Sequence, residues 1–382
     1  MAIRVLQVIT SLGTGGAEMM LLKLLTQLHG SEFAFRVVCL KGLGSIGPRI
    51  QELGMPVLAL GERGSLARRL SSTVRYVREF EPDVIHSWMY HANVAAHLIR
   101  VGIASGVPAI VSIRGALHAP STEKPLLRAV RRIDARLSRF ATRVLYNSSA
   151  VARQHERLGY DESKTLVIPN GFDVTSFAPD PAAGARFRAM HGIDPDEPLV
   201  GVVARYHPVK GHAVFAEAAA RVLETFPSCR FALAGRGCEW TNPPLARLLR
   251  ELGLEGRTVL LGDLPDPRPL YNALTVLVSP SLSESFPNAV GEALACGVPC
   301  VVTDVGDCAA LVGDAGTVVP PRDAIALAEG IIGMLRWPAQ AWQNAGERGR
   351  ERIVREYSLA RIGELYGALY RSVVERTVGA AV

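Results

Sequence analysis

The 382-residue chain has six cysteines, at 39, 229, 238, 296, 300 and 308, but no C-x-x-C pair and no cysteine–histidine spacing that suits a metal. They read as reduced core or loop residues of a cytosolic protein. Missing too is any apolar run near the ~18 residues that a membrane-spanning helix requires. Residues 1–16 carry Arg4, a short apolar run broken by Gln7 and then glycines, which reads as a buried first strand and not as a leader. The loop Gly13-Thr14-Gly15-Gly16 lacks the G-x-G-x-x-G spacing of a dinucleotide site, and no acidic residue closes a second strand about 20 residues on. A dinucleotide oxidoreductase fails on that ground. Asp194-Pro195-Asp196 has a D-x-D pattern, yet it sits in a proline-rich connector ahead of a strand, not after one.

The length suits two α/β domains. Strand candidates fall at 3–9, 34–40, 56–60, 83–86, 109–113, 142–146 and 165–168, then at 199–204, 230–234, 258–262, 276–280, 299–303 and 316–319, with helical stretches between them. Such alternation predicts parallel sheets covered by helices on both faces. Ligands bind such sheets outside the carboxyl ends of the strands, so polar residues just past a strand are the informative ones. In the first half these are His86 (with His91 and Asn93 in the same loop), Arg114 and Asn147; in the second they are Arg205 and Lys210. Charge is uneven: residues 1–175 hold 22 Lys and Arg against 13 Asp and Glu, whereas residues 176–382 hold 20 against 23. The basic half predicts an anionic partner. Its densest stretch is Lys124 to Arg143, with Arg128, Arg131, Arg132, Arg136 and Arg139 against Asp134 and with apolar residues interleaved at helical spacing. It reads either as a solvated surface helix or as an interfacial helix on anionic lipid.

One stretch organises the rest. Val276 to Pro280 reads as a buried strand, and Ser281-Leu282-Ser283-Glu284-Ser285-Phe286-Pro287 leads into a helix over Asn288 to Ala295 that Gly297 ends. Pro287 fits the first helical position, where its missing N–H costs nothing. A helix N-terminus at a strand end attracts phosphate. Glu284 before it and Glu292 within it repel phosphate but accept hydrogen bonds from sugar hydroxyls. Phosphate and polyol together predict a ligand such as a nucleotide sugar.

This stretch, with Gly297-Val298-Pro299-Cys300-Val301-Val302 after it, resembles the donor-site signature Glu-x7-Glu of retaining glycosyltransferases of family GT4. The resemblance covers nearly the whole chain, most closely 200–306 and least 40–80. It implies the GT-B fold: two doubly wound Rossmann-like α/β domains facing each other across a cleft. Residues 1–175, joined by a last helix at about 358–382 that crosses back, would bind the acceptor; residues 176–357 would bind the donor. By the same resemblance Glu284 contacts the donor sugar and Glu292 the ribose. The backbone of Phe286, Pro287, Asn288 and Ala289 meets sugar and diphosphate. Arg205 and Lys210 neutralise the diphosphate, while the turn at Gly235 and the stretch ending in Leu264 line the nucleotide. Gly15 and Gly16 belong to a loop facing acceptor and donor phosphate from the first domain.

Arg114-Gly115 stands where many members carry His-Gly near the sugar. An arginine is no general base, though it can hold phosphate or carboxylate bidentately. His86, His91 and His118 are the candidates for the sugar-side contact. His86 is expected to be catalytic, with His91 and Arg114 on the acceptor side. The expected reaction moves a hexose from a UDP- or GDP-linked donor to a hydroxyl of a lipid-linked or cell-surface glycan precursor, without metal or other cofactor and without nucleic acid as partner. The expected setting is the cytoplasm, at the inner face of a membrane. The alternatives are a GT-B sugar-nucleotide epimerase and a non-catalytic nucleotide-sugar-binding protein.

Overall fold

The computed structural model describes residues 2–62, 64–117 and 124–379. His118, the third histidine candidate, lies outside them. The chain divides into two compact units: one runs to Gly171 and resumes at Leu359, the other spans Phe172–Ser358.

The first unit holds seven strands: β1 (Ile3–Ile9), β2 (Phe33–Cys39), β3 (Val57–Ala59), β4 (Val84–Trp88), β5 (Ala109–Ile113), β6 (Arg143–Tyr146) and β7 (Thr165–Val167). They lie in the order β3-β2-β1-β4-β5-β6-β7, every neighbour parallel. The second holds β8 (Leu199–Val203), β9 (Arg230–Ala234), β10 (Thr258–Gly262), β11 (Val276–Ser279), β12 (Cys300–Thr303) and β13 (Gly316–Val319), in the order β10-β9-β8-β11-β12-β13, again all parallel. Central strands such as Ala109–Ile113 and Cys300–Thr303 are buried along their whole length. Burial on both faces explains why they read as continuous apolar runs and not as alternating ones. This is the α/β class expected, with one doubly wound parallel sheet in each unit.

Strand order reverses between β1 and β4 in one unit and between β8 and β11 in the other. Doubly wound sheets bind ligands outside the carboxyl ends at that reversal. The Gly13–Gly16 loop follows β1; Arg205 and Lys210 follow β8; Glu284 follows β11.

The last helix, Leu359–Gly379, packs in the first unit. Ile362, Tyr366, Leu369, Tyr370 and Val373 form its buried stripe, at the spacing of one helix face. Tyr370 meets Phe33 edge-on with ring centroids 5.6 Å apart. The six cysteines are buried and unpaired.

Candidate active site

The second unit assembles its site from two loops. After β8 the chain makes a short 3-10 turn, Pro208–Lys210, capped by Gly211 in the left-handed region at φ +69°. After β11 it runs through Ser281 and Glu284 to the helix Asn288–Ala295. The Leu282 amide donates to the Val209 carbonyl over 2.7 Å, stitching one loop to the other. Thr303 Oγ donates to the Ser281 carbonyl over 2.6 Å and fixes the second loop to β12. Lys210 is thereby delivered to Glu284: Nζ lies 2.5 Å from Oε1, with side chains 21% and 13% exposed. Ser281 Oγ donates to that same oxygen over 2.8 Å. Both bonds fall on Oε1, so the carboxylate is oriented while Oε2 keeps its acceptor capacity.

The helix after β11 begins at Asn288, with Pro287 as its cap at φ −82° and ψ 97°, one residue later than the sequence predicts. The Pro287 carbonyl accepts the Gly291 amide, the first bond of the helix. The amides of the opening turn have no earlier carbonyl within the helix to bond and point out of its N-terminus, at the carboxyl edge of the sheet. Gly297, at φ +77°, closes it. Glu292 accepts from the Tyr271 hydroxyl over 2.9 Å. The Phe286 side chain is buried, stacked 6.1 Å from Phe172, and Phe172 packs on Gly291, where a Cβ would enter its ring.

Arg205 is exposed at the end of β8. Gly235, at φ +131°, approaches so closely that a Cβ there would lie 2.7 Å from the Arg205 amide nitrogen. Leu264 is half-buried against the core. Lys210, Glu284 and the helix start are therefore one cluster, with Arg205 and Gly235 on the adjoining edge.

In the first unit the placements differ. Gly15 caps the helix Gly16–Leu28, and Ser11 Oγ donates to Glu18 Oε1 over 2.7 Å across this loop. His91 is exposed as the second residue of the helix Tyr90–Gly102. His86 requires a correction. β4 runs on to Trp88, two residues beyond the predicted end, so His86 lies within the strand and is fully buried. Its Nδ1 is 2.8 Å from the Tyr370 hydroxyl and its Nε2 is 2.5 Å from Ser112 Oγ. Burial, then the Arg114 charge, holds its pKa well below the ordinary histidine range. It is a neutral core side chain without access to substrate in this structure.

Arg114 is corrected likewise. Its guanidinium is buried 4.6 Å from the Trp88 ring centre. Nη1 donates to Asn170 Oδ1 over 2.6 Å, and Nη2 donates to the Tyr366 hydroxyl. It braces the last helix and does not present itself to an acceptor.

The basic stretch forms a helix only over Pro125–Leu137; Arg143 opens β6. Asp134 points inward, fully buried, accepting from Asn93 Nδ2 over 3.0 Å and Tyr160 OH over 2.9 Å. Burial pushes its pKa up to about 7. Outward stand Lys124, Arg132, Arg136 and Arg139 beside Leu126, Ile133 and Phe140, which are 72%, 46% and 52% exposed.

Sequence reasoning assigned no role to Ser281, Tyr271 or Thr303. Ser281 sits three residues before Glu284, within reach of a local-motif argument; Tyr271 comes from a separate helix and carries no signal of its own.

Residues 197–336 match the family model described as Glycosyl transferases group 1, and residues 14–176 match that of Glycosyltransferase Family 4. The D-inositol 3-phosphate glycosyltransferase of Mycolicibacterium paratuberculosis is 31% identical over 274 residues, 68% of this chain and 60% of that protein. The Escherichia coli UDP-Gal:α-D-GlcNAc-diphosphoundecaprenol α-1,3-galactosyltransferase is 29% identical over 244 residues, 62% of each chain. The matches thus span about three fifths of these relatives. Anabaena HepE, solved with UDP-glucose, superposes with a TM-score of 0.82 over 97% of this chain and 100% of its own at 22% identity. Sucrose-phosphate synthase of Thermosynechococcus elongatus gives 0.80 over 98% and 100% at 21%.

Proposed function

Because the chain belongs to glycosyltransferase family 4, we propose that it transfers a hexose from a nucleoside diphosphate sugar to an acceptor hydroxyl with retention of anomeric configuration. The observation that carries this reading is the Lys210–Glu284 contact at 2.5 Å. A cation suited to diphosphate and a carboxylate suited to sugar hydroxyls meet at the mouth of a phosphate-favouring helix.

As the glycosidic bond to the diphosphate breaks, negative charge grows on the departing oxygen. Lys210, Arg205 and the first-turn amides of Asn288–Ala295 are fixed positive groups where it grows. Glu284, held through Oε1 by Lys210 and Ser281, orients the sugar by accepting from its hydroxyls. Glu292, aimed by Tyr271, does the same for the ribose. Two side-chain cations and a helix terminus offset the diphosphate without a metal, so activity should survive chelation.

The acceptor carries phosphate. The first unit is basic, and both relatives act on phosphorylated acceptors by name, inositol 3-phosphate and a diphosphoundecaprenol-linked sugar. The Pro125–Leu137 helix, with cations and apolar side chains on its outer face, rests on anionic membrane where such an acceptor is lipid-linked. No helix among the described residues is long and apolar enough to cross a membrane.

The test is a panel of UDP- and GDP-sugars with phosphorylated acceptors in chelator, read as nucleoside diphosphate release and as the anomeric coupling of the product by NMR. Acceptor-dependent release with retained configuration is expected; an inverted product, or release that never depends on acceptor, overturns it. Sedimentation with anionic and neutral vesicles checks the membrane surface, where equal partitioning removes it.

A further inference from the structure

The floor beneath the proposed diphosphate cations contains a buried thiol and a buried imidazole. Cys238 is fully buried and His212 is 3% exposed. Cys238 Sγ donates to the Ala204 carbonyl over 3.4 Å and lies 3.6 Å from His212 Nε2. Ala204 immediately precedes Arg205. His212 opens the helix His212–Thr225, two residues after Lys210. One sulfur therefore touches the carbonyl beside one cation and the side chain beyond the other.

The backbone around it is closely tied. Ala204 donates to the Ala234 carbonyl over 2.8 Å, and Tyr206 donates to that of Arg236 over 2.8 Å. Arg205 is thus flanked by the end of β9 on one side and the turn that follows it on the other. That turn closes on itself through the Cys238 amide, which donates to the Gly235 carbonyl over 2.9 Å. It is joined to the end of β10 through the Gly262 amide, which donates to the Cys238 carbonyl over 2.9 Å. The Tyr206 ring covers the imidazole with centroids 5.2 Å apart. An exposed arginine takes its aim from its backbone, so whatever fixes Ala204 fixes the origin of the Arg205 side chain.

We propose that Cys238, seated against His212, is a positioning residue that holds the Ala204–Arg205 peptide so that Arg205 meets the donor diphosphate together with Lys210. This rests on the reading of Arg205 and Lys210 as the diphosphate cations. Burial pushes the thiol up to about 12 and the imidazole down to about 4, so the pair stays neutral at working pH and acts by hydrogen bonding, not as a nucleophile.

The experiment measures nucleotide affinity by calorimetry, with UDP and GDP as probes, for Cys238→Ser and Cys238→Val in wild-type and Arg205→Ala backgrounds. Serine can still donate to the Ala204 carbonyl; valine fills the space and cannot. Valine should weaken the tighter nucleotide about fivefold, as loss of one modest hydrogen bond does, with serine within about twofold of wild type. In Arg205→Ala the valine substitution should cost less than about twofold further, because the residue it acts through is gone. Should valine prevent folding, Cys238→Ala lacks the same donor and replaces it. Equal losses for serine and valine, or a full valine loss in Arg205→Ala, overturn the positioning role alone. Wild-type affinity in Arg205→Ala by itself overturns the reading of the site, and the proposal with it.

Discussion

Both units carry polar side chains in or just past parallel strands beside a reversal of strand order, yet they use them oppositely. In the second unit Arg205 is exposed, and Lys210 and Glu284 are half-buried and paired with each other. In the first, Gln7, His86 and Arg114 are buried under Tyr366 and Tyr370 of the last helix. Trp88 Nε1 donates to Gln7 Oε1 over 2.7 Å, and Gln7 Nε2 donates to the Tyr370 hydroxyl over 3.1 Å, so the network is continuous from strand to helix. The difference teaches that polarity in or just past a strand marks a place where polar groups gather, and that what covers the edge decides their use. Where a helix seals it, polar side chains satisfy one another and hold the helix down. In the second unit, by contrast, Arg205 stays exposed.

Substitutions on the two edges should therefore fail in opposite ways. Lys210→Ala should lower turnover in the proposed transfer by about two or more orders of magnitude, the usual cost of removing one group that stabilises developing charge. Its melting temperature should stay near that of the wild type, because the contact is partly exposed. Near-wild-type turnover would break the comparison from the second unit's side. Arg114→Met should do the reverse. It removes the charge-assisted bonds to Asn170 and Tyr366, at roughly 3 kcal/mol, while nucleotide affinity of the folded protein stays unchanged. Urea denaturation with calorimetry on the same preparation reads both, and unchanged stability would show Arg114 to be no brace.

The strand pattern was legible almost to the residue. All thirteen strand candidates are strands, because buried parallel strands are short apolar runs bounded by glycine, proline and polar residues. The helix Asn288–Ala295 was legible because Pro287, Asn288 and Gly297 punctuate it. His86 was misplaced for a physical reason: Ser87 and the indole N–H of Trp88 look like the end of a strand. They are tolerated inside one because Asn93, six residues on, and Gln7, 81 residues away, accept their hydrogen bonds. Arg114 failed alike, since its partners Asn170 and Tyr366 lie 56 and 252 residues away. Local pattern reports which residues leave the sheet; only the fold reports what waits for them.

A smaller effect probes how the helix Asn288–Ala295 is seated. The Phe172 ring lies on Gly291, so Gly291→Ala places a methyl where the ring now sits. Overpacking of this kind costs up to about 3 kcal/mol. Since Gly291 neighbours Glu292, the variant that still folds should bind nucleotide more weakly, whereas Arg114→Met should not. Unchanged affinity in Gly291→Ala would show that the ring moves aside without tilting the helix.

The expected effect that the whole-protein profile shows least separates the units by pH. Asp134 in the folded chain has its pKa raised by burial to about 7 from an ordinary 3.8, with Asn93 and Tyr160 donating to it as partial compensation. Below pH 4 the carboxyl is protonated in both folded and unfolded chains. Between about pH 4 and 7 the folded state holds the proton and the unfolded state has released it. Stability contributed here is therefore present at low pH and lost as pH rises through 7, on the order of 4 kcal/mol. His155, packed nearby and held down to about 4 by burial, acts in the opposite sense over much of the same range, so the whole-protein profile hides the carboxyl. Asp134→Asn isolates it: asparagine still accepts from Asn93 and Tyr160 but does not titrate. The stability difference, variant minus wild type, should climb in favour of the variant from pH 4 to pH 7 and level above it. The nucleotide affinity of the second unit should be identical in the two proteins at each pH. A flat difference would mean that Asp134 is solvated enough to ionise normally, and that the inner face of the basic helix is looser than its hydrogen bonds suggest.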